Sequence, residues 1–235
     1  MIAASIAILS SAAVVSTGFA AWVISGGDTK DVTGTITADT VVQSYHTIDF
    51  TVKDKNKINF GAPAQQTGVS DPWLTNNSTG KESLLATFEF TVANVKTGED
   101  AYDKLFSSIT LSAGDDTTYK VASDAKLVSA LPTLKKKAYD TAAPTYDSKT
   151  ATDSSAAGIY LVKGSSTTAS EGVSLLPFTL YIQFTWGENF GYKNPFYYYN
   201  DGTKTASNNG KDAFDNLDKV AKIQSVGFTL TITTK

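Results

Sequence analysis

The side chains that could carry chemistry are few and poorly matched to one another. His46 is the single histidine, and there is no cysteine. A Ser-His-Asp or Cys-His arrangement would have to use His46, and a zinc site would need carboxylates for its remaining ligands. Its place just before a stretch of strand character reads better as a surface or strand-end residue. The zinc-protease pattern His-Glu-x-x-His does not occur. Glu89 and Glu188 are the best carboxylates for glycoside hydrolysis, which needs two at a set separation. Each reads more simply as solvated, Glu89 on the outer face of a strand and Glu188 in a turn. Asp115, Asp116, Asp212, Asp215 and Asp218 offer oxygens to calcium, but no Asp-x-Asp-x-Asp-Gly loop frames them. The residue types therefore point to neither an enzyme nor a metal protein, and no cofactor is implied.

The most unusual segment is residues 186–200, where aromatic rings crowd among Gly, Asn and Asp. Flat rings stack on the apolar face of a pyranose while amides meet its hydroxyls. On that reading Trp186, Tyr192, Asn194, Tyr197, Tyr198 and Tyr199 form a glycan-binding platform. The plainer reading is a long connection whose aromatics plug one end of a β-sandwich, since such loops must bury something to stay ordered.

Whatever positions these residues is a β framework. Residues 178–186 alternate apolar and polar without a break, and residues 226–233 and 84–92 nearly do so. A period of two marks strands with one face on a core and the other in water. Thr on the outer face adds strand propensity. The expected core is Phe88, Phe90, Val92, Leu180, Ile182, Phe184, Phe228, Leu230 and Ile232, with Thr179, Tyr181, Gln183, Thr229 and Thr231 outside. Further strands are expected at 32–38, 47–53, 57–60 and 159–162. Residues 109–112 and 118–122 read as a hairpin turning through 113–116. Two short helices are expected, at 99–107 and at 211–222, the latter with Phe214, Leu217, Val220 and Ala221 inward. Residues 135–157 read as an exposed loop. Strands at irregular spacing with long crossovers give an all-β, two-sheet antiparallel sandwich of jelly-roll type. That domain spans residues 28–235, after an apolar segment at residues 1–27.

Composition narrows the partners. All 20 basic residues are Lys, and the net charge is −3. Without Arg, the residue suited to bidentate phosphate and guanine contacts, and with a net negative charge, no nucleic-acid partner is expected. A cysteine-free chain of this length holds itself together by core packing alone.

Residues 1–24 carry no charge. Gly18 and Ala20 supply a small-x-small pattern that places signal-peptidase cleavage after Ala20. The run is also long enough to cross a bilayer, which takes about 20 apolar residues, or to pack as a filament helix. Membrane association is expected only if residues 1–24 are retained. Ser16-Thr-Gly-Phe-Ala-Ala-Trp22 followed by Thr33-Gly-Thr-Ile-Thr-Ala-Asp39 resembles the start of the TasA/camelysin group of secreted bacterial proteins. The resemblance covers residues 5–40 or so. It implies a jelly-roll subunit of extracellular matrix fibres, secreted or held at the bacterial cell surface, that self-associates into filaments through a strand donated between neighbours. After cleavage the donor would be Ala21, Trp22, Val23 and Ile24, an apolar end beside the Gly26-Gly27 hinge. The alternative expectation is an adhesin module that binds cell-surface glycans through residues 186–200, and an enzyme of glycanase type stands third.

Overall fold

The structure, a computed structural model, describes residues 36–37, 47–51, 58–60, 82–168, 174–199, 210–223 and 227–235. It is built mostly of strands in antiparallel sheets, with a few short helices. The strands are β1 (Ile36–Thr37), β2 (Thr47–Thr51), β3 (Asn59–Phe60), β4 (Glu82–Ser83), β5 (Leu85–Ala93), β6 (Phe106–Ser112), β7 (Gly158–Lys163), β8 (Thr167–Thr168), β9 (Ser174–Gln183) and β10 (Thr229–Thr234). The helices are α1 (Tyr102–Leu105), α2 (Thr117–Asp124), α3 (Pro195–Tyr199) and α4 (Gly210–Ala221). The larger sheet runs β2-β5-β9-β7 with β8 beside β9, the smaller runs β1-β10-β6, and β3 and β4 form a separate ribbon. β1 lies parallel to β10, with Ile36 beside Leu230 and Thr37 beside Thr231.

Alternation decides which faces meet. Across β5 and β9, Phe88 stands opposite Leu180, Phe90 opposite Phe178 and Val92 opposite Leu176. Across β10 and β6, Leu230 stands opposite Leu111 and Ile232 opposite Ile109. All nine expected core residues are buried. Burying each such side chain contributes about 1.5–3 kcal/mol. Rings join the sheets: Phe106 of β6 lies 5.2 Å from Phe178 and 6.1 Å from Phe90, edge to face in both cases. Phe106 and Ile109 can both face inward, although three positions apart, because the β6–β10 register slips by one residue between them.

Several expectations need correction. Residues 113–116 do not turn a hairpin. The Asp116 carboxylate accepts the amides of Thr118 and Tyr119 and caps α2, whose Tyr119 and Ala122 are buried one turn apart. The helix expected over 99–107 shrinks to α1, because Phe106 already pairs with β10. Among the described residues there are four short helices and a 3-10 turn at Glu188–Phe190, more than the two helices expected. On α4 Val220 is buried, but Leu217 is 42% exposed rather than inward. Gln183 is buried, not outward, because its side-chain amide donates to the carbonyls of Leu84 at 3.1 Å and Phe184 at 2.7 Å.

Residues 135–157 are exposed over much of their length, as expected, but fixed at specific points. The Tyr139 hydroxyl donates to the Asp100 carbonyl at 2.8 Å, and that of Tyr146 to the Tyr192 carbonyl at 2.7 Å. His46 and residues 1–27, including Ala21, Trp22, Val23 and Ile24, lie outside the described residues.

Candidate functional site

The aromatic segment leaves β9 and closes one end of the core. From Ile182 through Gly187 every side is covered, and strand alternation gives way to complete burial. Trp186 is wholly buried and meets Phe190 at 5.6 Å with the rings at 83°. Phe190 in turn meets Tyr198 at 6.0 Å and 72°, so the rings form an edge-to-face series. Phe60 packs edge-on to Trp186 from the other side, at 5.8 Å.

Residues 125–128 grip the start of this segment. The Gly187 amide donates to the Leu127 carbonyl at 2.9 Å, and the Asn189 amide to that of Lys126 at 3.0 Å. The Asn189 side chain donates to the Ala125 carbonyl at 2.6 Å. A Cβ at residue 187 would stand 2.1 Å from the Lys126 carbonyl oxygen, so only glycine allows this approach. A 3-10 turn, Glu188–Phe190, follows and ends on Gly191 at φ 57°. The Glu188 carboxylate pairs with Lys126 at 2.5 Å on the surface, where such a pair adds little stability.

Tyr146 ties the far side. Its hydroxyl accepts from the Trp186 amide at 3.0 Å while donating to the Tyr192 carbonyl, joining both ends of the turn to the long exposed segment. No reading of the sequence marked Tyr146. Its signal is that of a lone aromatic in a run of Ala, Ser, Thr and Asp, which has little reason to be there unless it docks.

The six residues expected to meet a sugar are thus placed unequally. Trp186 and Asn194 are wholly buried, which corrects their assignment to a surface platform: the tryptophan fills the core, and the Asn194 backbone bonds Ser148 and Tyr198. Tyr192, Tyr197 and Tyr198 are half-buried. The Lys149 ammonium sits over the Tyr197 ring at 5.9 Å. Tyr199 ends α3. The described part of the segment has the geometry of a plug. Glu89 stands on the outer face of β5 opposite Thr179, while Glu188 is engaged by Lys126. Among the described residues no group of three or more His, Cys, Asp or Glu could hold a metal ion.

The sheet edges are the remaining surface with a recognisable use. β6 runs seven residues with Ser107, Thr110 and Ser112 exposed and no charged or proline residue. It pairs with β10 on one side, and among the described residues no strand pairs with the other. Natural edges are usually blunted by charge, proline or a covering segment. The slip beside Ser107 interrupts only one end of β6, leaving Ser108–Ser112 regular. No described helix is long and apolar enough to cross a membrane. No protein-family model matches the chain, and no curated protein or solved structure matches it.

Proposed function

We propose that this chain is a structural, non-enzymatic subunit of an extracellular or cell-surface fibre, assembling by strand donation at sheet edges. The observation that carries this reading is the uncharged, regular outer edge of β6, which offers backbone groups to an extended segment of a neighbour. The donor is the apolar segment Ala21, Trp22, Val23 and Ile24, freed by cleavage after Ala20 and hinged at Gly26-Gly27. A donor on one copy and an acceptor on the next make a contact that does not close, and so a filament. Passage of the chain from the larger sheet to the smaller between β5 and β6, and again between β9 and β10, supports a jelly-roll arrangement.

Negative-stain electron microscopy of the chain starting at residue 21 tests this reading. Filaments are expected, and they should vanish when residues 21–27 are deleted while the circular dichroism spectrum stays unchanged. Identical filaments from the truncated chain would remove strand donation. A monomer that never polymerises but binds a glycan array would replace the fibre reading with a glycan-binding module.

A further inference from the structure

β6 runs on into α2 through residues 113–116, and the two elements border a cleft of about 500 Å³. Its lining includes Leu111, Ser112, Ala113, Asp115, Tyr119 and Leu131. Leu111 is inward and Ser112 outward on β6, yet both line the cleft. None of the lining residues belongs to β10, so the cleft lies on the side of β6 that β10 leaves open. Leu111 is also the most exposed of the buried apolar residues among those described, at 8%. The core is thus least covered where the edge of β6 ends.

The cleft has the chemistry of an anchor site. Leu111, Tyr119 and Leu131 give it an apolar floor, and the exposed Asp115 stands at its rim. Its volume lies within the range of about 300–1,000 Å³ that ligand pockets span. Trp22 is the largest of the donor residues Ala21, Trp22, Val23 and Ile24, and buried aromatic anchors dominate interface energies. Cleavage after Ala20 places an α-ammonium on Ala21, one residue away, which the Asp115 carboxylate complements. The spacing fits as well. Trp22 and Ile24 lie two positions apart, and so do the inward residues Leu111 and Ile109.

We propose that this cleft receives Trp22 of a second copy, which fixes the donated strand antiparallel to β6 with Trp22 beside Leu111, Val23 opposite Thr110 and Ile24 beside Ile109. The identity of the donor rests on the fibre reading, to which the cleft adds an anchor, a direction and a register. A strand that starts in the cleft follows the edge from Ser112 toward Phe106, against the direction of β6, because beyond Ser112 the chain turns away into α2. Trp22 and Ile24 then extend the inward face of the small sheet, and Val23 joins Thr110 outside.

The chain has no cysteine, so Val23→Cys with Thr110→Cys introduces its only thiols. Directly opposed residues of an antiparallel pair hold their Cα atoms about 4.5–5.5 Å apart, within reach of a disulfide. Oxidation of the chain starting at residue 21 is expected to give a ladder of covalent oligomers on a non-reducing gel. Val23→Cys with Ser108→Cys, two positions out of register, should leave monomers. The reverse pattern overturns the proposal. So does a fast-running monomer closed on itself, which would make the occupant the chain's own segment. Trp22→Ala should raise the concentration for half-maximal association about thirtyfold in sedimentation velocity, the loss of one interface anchor. Trp22→Phe should recover most of it. Ser123→Trp fills the cleft from α2 without altering β6 and should weaken association to the same degree, with the circular dichroism spectrum unchanged. Association that both Trp22→Ala and Ser123→Trp leave untouched overturns the proposal. Filaments without the crosslink between positions 23 and 110 end it but keep the fibre reading. Crosslinked oligomers without filaments end the fibre reading and keep the docking register.

Discussion

Tyr146 shows how much one side chain organises. Its hydroxyl is acceptor for Trp186 and donor for Tyr192, so the plug is closed by a residue forty positions before it. Tyr146→Phe removes both bonds at once and is expected to cost about 1–3 kcal/mol, read as a lower midpoint in thermal or urea unfolding. A buried phenol gives a second prediction. Burial raises the Tyr119 pKa well above the ordinary value for tyrosine, and the hydroxyl donates to the Ser129 carbonyl at 2.8 Å, a bond that only the protonated phenol makes. The unfolded chain ionises this phenol near pH 10, about its ordinary value, while the folded chain does not. Its contribution to stability is therefore complete below that pH and is lost as pH climbs above it. Unfolding followed from pH 9 to 12 should show that loss, and Tyr119→Phe should flatten it. The burial of Trp186 was not legible in the sequence, because the decisive contact is the approach of Gly187 to a distant backbone carbonyl. A glycine between Trp and Glu looks like any turn until Lys126 is brought against it.

At the scale of elements, legibility followed the number of residues that share one pattern. β5, β9 and β10 each repeat the period-two signal several times, and their inward residues are those the alternation specified. α2 offered little by comparison. Thr117-Thr118-Tyr119 favours a strand by propensity, and only two of its residues face the core, so the single Asp116 cap outweighs the local preference. Asp116→Ala should accordingly cost about 0.5–2 kcal/mol in global unfolding. Hydrogen exchange of the Thr118 and Tyr119 amides would quicken first, whereas a cost spread evenly over the sheets would count against the cap. The segment that bridges to β7 at Leu134 and Asp140 was equally hidden, since two contact points in seven residues leave no period to find. Gln183 departs from its strand pattern for a different reason. At the end of β9 other segments cover the outer face too, and the side chain satisfies backbone carbonyls instead of meeting water.

For the whole molecule, the two sheets share one core but manage their edges differently. β7 is bridged by Leu134 and Asp140, while β6 presents only Ser and Thr beyond its buried residues and, among the described residues, pairs with no second strand. Thr110→Lys places a charge at the centre of that edge without touching the core, so it should leave the melting temperature nearly unchanged. Filament yield in electron micrographs should fall sharply, and undiminished filaments would move the acceptor to another edge. The parallel neighbours β1 and β10 have a mechanical consequence. The chain enters β1 from one end of the small sheet and leaves β10 at the other. Tension applied before residue 36 and after residue 234 slides these strands along each other and loads their hydrogen bonds together. An antiparallel pair in the same place would be peeled open one bond at a time. A single-molecule pulling experiment on those two attachment points should record a higher rupture force than one with the pull moved to residues 106 and 234, which enter and leave an antiparallel pair at the same end. In a chain of such subunits, load carried from one to the next would fall on the arrangement of strands best able to resist it.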